Sequence, residues 1–137
     1  MPARPATVRS TLATALATCI VVAGAAAPAS ARGGGGDGRV ESSGSCSRSS
    51  DWKLKAKPDD GRIEVEFEVD SSRNGQVWAW KLKHDGSVSA RGRSTTRAPS
   101  GSFSVERRLV DLSGTDTLSF RAENTRSGEV CKGTVNL

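Results

Sequence analysis

The sequence is poor in the residues that build most catalytic and metal sites. It has no tyrosine, one methionine, one histidine and three cysteines in 137 residues. The widely spaced cysteines and the lone His84 do not make the close ligand pairs of a zinc site, so we expect no metal site and no cofactor. A Ser-His-Asp triad would need His84, which precedes the turn sequence Asp85-Gly86, and no serine stands in a G-x-S-x-G motif. The sequence therefore indicates a protein that is not an enzyme, with His84 as a surface residue at a strand end.

Long apolar runs are also lacking, except near the N-terminus. Arg4 and Arg9 come before an uncharged, Ala-rich stretch over residues 11–27, and the small residues Ala29-Ser30-Ala31 follow it. This order is typical of a secretory signal peptide. The stretch is shorter than the roughly 20 residues of a membrane helix. We predict a signal peptide over residues 1–31, cleavage after Ala31, and a secreted, extracellular protein with no membrane span after cleavage.

Two other interpretations of this segment stay open. The first is an amphipathic or membrane helix that remains attached to the protein. The second is a lipoprotein, because Leu16-Ala17-Thr18-Cys19 places a leucine and a cysteine at lipobox spacing. Thr18 is a poor residue before the cysteine, and most of the apolar run follows Cys19. Both features favour the cleaved signal peptide.

The excess of positive charge is small. The chain carries a net +5, and the predicted signal peptide contains two of the arginines, which leaves +3. Nucleic-acid-binding domains usually concentrate many more cations on one face, so we expect no nucleic-acid partner. The remaining residues suffice for one small domain with a modest core, which we expect to be a monomer.

A Gly/Ser-rich segment and a cysteine pair organise the mature chain. Residues 32–50 contain four consecutive glycines and several serines, a composition that predicts a flexible linker. Cys46 lies near its end and Cys131 lies close to the C-terminus. An even number of cysteines in a small exported domain predicts a disulfide between them, although two free thiols are the alternative.

From residue 51 onward, apolar and polar residues alternate with a period of two. The apolar sets are Trp52, Leu54 and Ala56, then Ile63, Val65, Phe67 and Val69, then Trp78, Trp80 and Leu82. This pattern predicts three strands with one buried and one solvated face. Residues 58–61 and 71–75 are turn sequences.

The charges predict a register for these three strands. Pairing Lys57 with Arg62 would place Lys55 opposite Glu64, and pairing Asp70 with Val77 would place Glu64 opposite Lys83. The solvated face would then carry a Lys–Glu–Lys ladder, each opposed pair contributing about 0.2–1 kcal/mol. A shift by one residue would bury every charge, so we expect the register to be strongly specified.

Four further strands are expected over residues 87–94, 103–112, 117–123 and 129–136. Arg107-Arg108 interrupts the alternation of the second of these, and we predict a β-bulge there. Seven short strands without a helix predict an all-β fold, an antiparallel immunoglobulin-like β-sandwich over residues 51–137.

Three groups of residues are candidates for a site. Glu64, Glu66 and Glu68 are expected on one solvated face between lysines, so a salt-bridged surface is favoured over a catalytic carboxylate pair. Trp78 and Trp80 would form a sugar-binding platform if exposed, but their alternation with charged residues favours the core. Arginines are frequent in the second half, and several on one face would form an anion-binding surface; a solvated face is the favoured alternative. These arginines are Arg91, Arg93, Arg97, Arg107, Arg108, Arg121 and Arg126.

Two resemblances bear on this interpretation. The run Leu118-Ser-Phe-Arg-Ala-Glu-Asn124, followed by Ser127-Gly128-Glu129, resembles the penultimate strand and following turn of fibronectin type III and related immunoglobulin-like domains. This resemblance supports the β-sandwich. The predicted signal, linker and cysteine spacing resemble small secreted proteins of high-GC Gram-positive bacteria with no assigned function, and neither resemblance implies an activity.

Three functions from different classes follow as hypotheses. The leading one is a non-enzymatic extracellular domain that binds an extracellular protein or a cell-envelope polymer through a sheet face or its loops. The second is a small secreted hydrolase. The third is a secreted enzyme (protease) inhibitor that presents the loop 95–102, which contains Arg97-Ala98-Pro99.

Overall fold

The computed structural model describes residues 36–137 and contains eight antiparallel strands in two sheets. No helix occurs within that range, so the all-β expectation is confirmed, with eight strands instead of seven. The predicted signal peptide, Cys19 and the four-glycine run up to residue 35 lie outside the described residues. The strands are β1 Val40–Ser45, β2 Asp51–Asp59, β3 Arg62–Asp70, β4 Val77–His84, β5 Ser87–Thr95, β6 Ser102–Val110, β7 Thr117–Asn124 and β8 Val130–Asn136.

The strands form two four-stranded sheets that pack face to face. The first sheet has the order β1-β2-β3-β6, and the second has the order β5-β4-β7-β8. Alternate residues of each strand point into a common core, as the period-two pattern predicts. Aromatic rings join the sheets: Phe67 of β3 stacks on Phe120 of β7 with centroids 4.6 Å apart, and its edge meets Trp80 of β4 at 5.6 Å.

The extra strand β1 lies in the segment 32–50, where a flexible linker is expected. Val40–Ser45 pairs with β2 along its whole length, with Gly44 opposite Trp52. A side-chain Cβ at Gly44 would lie only 3.1 Å from the Trp52 ring, so the glycine allows this close packing. The polar sequence of β1 did not predict a strand, because β1 lies at the edge of the sheet and only one of its faces meets the core.

The predicted disulfide is present and closes the domain. Cys46 and Cys131 are bonded, with their Cα atoms 4.3 Å apart. Cys131 is completely buried in β8, and Cys46 follows β1 directly. The bond therefore ties the two sheets together at one edge of the sandwich, where β1 and β2 of the first sheet contact β8 of the second.

The predicted register of β2 and β3 needs a correction by two residues. Asp59, not Lys57, pairs with Arg62, so Lys57 lies opposite Glu64 and Lys55 opposite Glu66. The reason is the turn, which consists only of Asp60 and Gly61, both with positive φ (48° and 72°). Such two-residue turns match the twist of a hairpin and let the strands continue through Pro58. A shift by two preserves the predicted faces.

Two further predictions about the strands are wrong. β4 does not pair with β3, because the chain crosses to the second sheet and β4 lies there between β5 and β7. The Lys–Glu–Lys ladder across β2, β3 and β4 therefore does not form.

The predicted β-bulge at Arg107-Arg108 is absent, because β6 pairs with β3 without interruption. Arg107 takes an inward position over the Trp80 ring, 5.1 Å from its centroid. The register shift occurs instead between Leu82 and Lys83.

Candidate functional site

A row of four cations crosses the outer face of the second sheet. Lys81 of β4 lies directly opposite Arg91 of β5 on one side and Arg121 of β7 on the other, and Arg121 lies opposite Lys132 of β8. We call these four residues the cation row. Neighbouring strands are about 4.8 Å apart, so the row extends over roughly 14 Å across the whole sheet.

Local sequence places these side chains outward. In β4 the buried residues Trp78, Trp80 and Leu82 alternate with exposed Lys81 and Lys83. The same alternation exposes Arg91 and Arg93 of β5, Arg121 of β7 and Lys132 of β8. The outer face of the second sheet therefore carries six cations, which we call the basic face: Lys81, Lys83, Arg91, Arg93, Arg121 and Lys132.

Few carboxylates balance this charge. Arg121 forms an ion pair of 2.6 Å with Glu123. Within residues 36–137, none of the other five cations has a carboxylate oxygen within 4.0 Å. Like charges directly opposite one another on a sheet repel and destabilise the fold. A bound anion would reduce the repulsion within the cation row.

The basic face is also concave. A depression of about 660 Å³ is lined by Lys81, Lys83, Arg121 and Lys132 together with the hydroxyl-bearing residues Ser119 and Thr134. Exposed Val88 lies at its margin. The register shift between Leu82 and Lys83 lies beside this depression. Cations and hydroxyls on a concave surface are suited to hold an anion by charge and hydrogen bonds.

The arginines singled out in the sequence are divided between several places. Arg91, Arg93 and Arg121 belong to the basic face. Arg97 lies in the β5–β6 loop and Arg126 in the β7–β8 turn. Arg107 covers the Trp80 ring, and Arg108 lies on the other sheet in an ion pair with Asp59.

The three lysines of the basic face were missed as site residues. The predicted pairing of β3 with β4 opposes Lys81 and Lys83 to glutamates, whereas the actual neighbours of Lys81 are arginines. Alternation reveals which face a residue occupies but not which strand lies beside it. Lys132 stands alone between Cys131 and Gly133, and no local signal marks it as part of a site.

The tryptophans lie in the core, as their alternation predicts. Trp78 is 0% exposed and Trp80 is 4% exposed, so neither forms a surface platform. Trp80 Nε1 donates a hydrogen bond of 3.0 Å to Ser94 Oγ. Trp52 is partly buried and meets Phe120 edge to face, with centroids 5.6 Å apart.

His84 is at a strand end, as expected, but it is buried and not a surface residue. Its Nε2 lies in hydrogen-bond contact with a carboxylate oxygen of Asp116, which is itself buried just before β7. The last position of β4 is an inward one, and the loop before β7 closes over it. The prediction of a surface position was wrong because the partner of His84, Asp116, is 32 residues away in sequence and no local pattern indicates this contact.

The loop 95–102 is a closed, well-anchored turn. The Arg97 N–H donates to Ser102 O, and the Arg97 carbonyl accepts the Gly101 N–H, both at 2.9 Å. Thr96 is buried, and its hydroxyl donates to Arg73 O. The backbone groups at Arg97 are therefore already hydrogen-bonded within the domain.

No family model, curated protein or solved structure matches the chain. The part of the chain that the structure describes contains no helix long and apolar enough to cross a membrane.

Proposed function

We propose that the protein is a non-enzymatic extracellular binding module that holds a linear anionic polymer on its basic face. The observation that carries this proposal is the cation row, in which four positive side chains lie opposite one another across four strands. Isolated surface cations need no explanation, but an uninterrupted row carries an electrostatic cost. An anion lying across the strands removes that cost.

The chemistry of the face favours a polyanion over a neutral glycan. Neutral sugar rings are usually held by exposed aromatic side chains, whereas Trp78 and Trp80 are buried. Five of these cations have no ion-pair partner among residues 36–137, so they supply long-range attraction and accelerate encounter with a negatively charged chain. A phosphate- or carboxylate-bearing polymer of the cell envelope fits both features.

The predicted export of the protein supports an extracellular site of action. The N-terminal pattern over residues 1–31 predicts a signal peptide with cleavage after Ala31. The disulfide between Cys46 and Cys131 is consistent with an oxidising compartment. We propose that the mature protein is a secreted monomer, similar to small secreted proteins of high-GC Gram-positive bacteria.

We further propose that the sandwich is immunoglobulin-like, with β1 added at one edge. Counting from β2, the first, second and fifth strands share one sheet, and the third, sixth and seventh share the other. Immunoglobulin domains divide their strands in the same way. The fourth strand in this count, β5, lies beside the third, β4, in the second sheet. In constant-type domains the fourth strand lies beside the fifth strand, in the other sheet.

The other two hypotheses receive less support. For a hydrolase, His84 would have to act as the base, yet it is buried and its side-chain hydrogen bond goes to Asp116. For a protease inhibitor, the loop 95–102 would have to offer an extended backbone to the enzyme. Its Arg97 backbone groups are hydrogen-bonded within a tight turn.

The lysines provide a matched experiment. Three of the six lysines lie on the basic face and three lie on the outer face of the first sheet. Binding of the purified protein to polyphosphate, polygalacturonate and uncharged dextran is measured at several salt concentrations. The test variant is Lys81→Gln/Lys83→Gln/Lys132→Gln, and the control variant is Lys53→Gln/Lys55→Gln/Lys57→Gln.

We expect the natural protein to bind one or both polyanions but not dextran, with affinity that falls as salt increases. The test variant should lose about tenfold or more in affinity, because charge-assisted contacts are lost, while the control variant keeps most of its binding. Equal losses in the two variants would reject the basic face as the site. Preferential binding of single-stranded DNA would reject the proposed ligand class.

A further inference from the structure

We propose that His84, Asp85 and Asp116 form a binding site for one divalent transition-metal ion of the zinc type. Each residue offers one ligand atom, and the three atoms all lie within 4.8 Å of one another. His84 Nε2 contacts Asp116 Oδ1 and is 3.7 Å from Asp85 Oδ2. This site is separate from the basic face, and its existence does not depend on polyanion binding.

The fold brings the three residues together from two segments. His84 ends β4 and Asp85 begins the two-residue turn to β5, while Asp116 immediately precedes β7. The Asp116 backbone exchanges two hydrogen bonds of 3.0 Å with Leu137, which anchors it at the end of the second sheet. His84 is therefore held within a strand, and Asp116 is held by its backbone hydrogen bonds to Leu137.

Hydrogen bonds to the backbone orient both carboxylates. Asp85 Oδ1 accepts the Thr117 N–H at 2.8 Å, which leaves Oδ2 directed toward the imidazole. Asp116 Oδ1 accepts the Leu112 N–H at 3.3 Å in addition to its contact with His84. Partners of this kind fix the orientation of metal ligands in established metal sites.

The balance of charge and protons favours a cation at this point. One imidazole N–H can be donated to one acceptor, yet two carboxylates converge on the same nitrogen. His84 and Asp116 are only 8% and 3% exposed, so water compensates little of the charge on Asp116. With the imidazole proton on Nδ1, a divalent cation between the three ligand atoms would bind the unprotonated Nε2 and neutralise both carboxylates.

The ligand types select the class of metal. Imidazole together with carboxylate oxygen suits zinc and neighbouring transition metals, whereas calcium and magnesium prefer oxygen ligands alone. Three protein ligands leave one position of a tetrahedral zinc site for water. The Asp85 side chain is 40% exposed, which provides a route for the ion and that water.

The lone histidine makes the test direct. Because the chain contains one histidine, tag-free protein labelled with ¹⁵N-histidine gives a single set of imidazole signals. Zn²⁺ is titrated with the disulfide intact, and imidazole signals, Tm and calorimetric stoichiometry are followed. We expect one ion per chain, a change in the Nε2 resonance and a raised Tm. An unchanged imidazole signal at saturating Zn²⁺ would overturn the proposal.

A matched pair of variants separates ligation from folding. Asp60 and Asp85 occupy equivalent positions in two-residue turns, both with φ of 48° and both followed by glycine. Asparagine tolerates this conformation and, in Asp85→Asn, can still accept the Thr117 N–H. We expect Asp85→Asn to weaken Zn²⁺ binding about tenfold or more, and Asp60→Asn to leave it unchanged. Equal affinity in both variants would contradict the proposal.

Discussion

The two outer faces of the sandwich use the same number of lysines in opposite electrostatic settings. On the first sheet, Lys53, Lys55 and Lys57 each have a carboxylate oxygen within 4.0 Å, from Glu41, Glu66 and Glu64 respectively. On the second sheet, Lys81, Lys83 and Lys132 have none among the described residues, and two of them face arginines. The positive charge of one face is therefore balanced by carboxylates, and that of the other face is largely unbalanced among the described residues.

The difference arises from the neighbouring strands and not from the strands that carry the lysines. Both β2 and β4 repeat lysine at every second position around buried residues. β2 lies beside β3, which presents glutamates, whereas β4 lies between β5 and β7, which present arginines. The same local pattern thus produces a stabilising surface in one place and a candidate binding surface in the other.

The largest expected effect comes from the core that both faces share. Trp80 is 4% exposed and packs against Phe67 of the opposite sheet. Trp80→Ala should lower the free energy of unfolding by about 3–5 kcal/mol, because it leaves a large cavity. Denaturant unfolding measures the loss. An unchanged midpoint would mean that the two sheets do not rest on a common core.

A smaller effect is expected where Trp52 of the first sheet meets the second. A Cβ added at Gly133 of β8 would lie 2.3 Å from the Trp52 ring, so one of the two must move. Gly133→Ala should cost about 1–3 kcal/mol, as overpacked cores do. Gly36→Ala, where an added Cβ meets nothing within 4 Å, is the control. Similar thermal denaturation curves for the two variants would argue against this contact.

Single lysine substitutions should have opposite signs on the two faces. Lys55 loses an ion pair of 3.7 Å with Glu66 on substitution by glutamine, whereas Lys81 is released from opposition to Arg91 and Arg121. Each cross-strand pair contributes about 0.2–1 kcal/mol, so Lys55→Gln should destabilise and Lys81→Gln should stabilise slightly. Calorimetry at low salt measures both, and the difference should shrink at high salt. Effects of the same sign would refute the contrast between the faces.

The smallest effect concerns the Lys57–Glu64 ion pair of the compensated face. The Glu64 carboxylate, 2.9 Å away, accepts a hydrogen bond from Lys57 and its charge raises the Lys57 pKa above the ordinary 10.5. Because the folded-state pKa is the higher one, this stabilisation is complete below pH 10.5 and is lost as the pH rises through the folded-state pKa. Lys57→Gln should therefore lose less stability than the natural protein in that alkaline range, and NMR titration of the lysine Nζ signals tests the shift directly.

Much of the sandwich was predictable because side-chain alternation directly encodes which face of a strand is buried. The inward positions of Ile63, Val65, Trp78 and Trp80 follow from local sequence, as does the closure by Cys46 and Cys131. β1 was not predicted, since its small polar residues resemble a linker. Half of the basic face, its arginines at 91, 93 and 121, could be suspected from composition alone.

The sequence by itself determined the class of fold, the buried faces of β2, β3 and β4 and the pair of cysteines, because these depend on residue type and a period of two. Only the tertiary structure decided that β4 leaves β3 for the second sheet, and with it the cation row. It also decided that Asp116 reaches His84 across 32 residues. Strand neighbours depend on packing energies summed over both sheets, and no local pattern contains that sum.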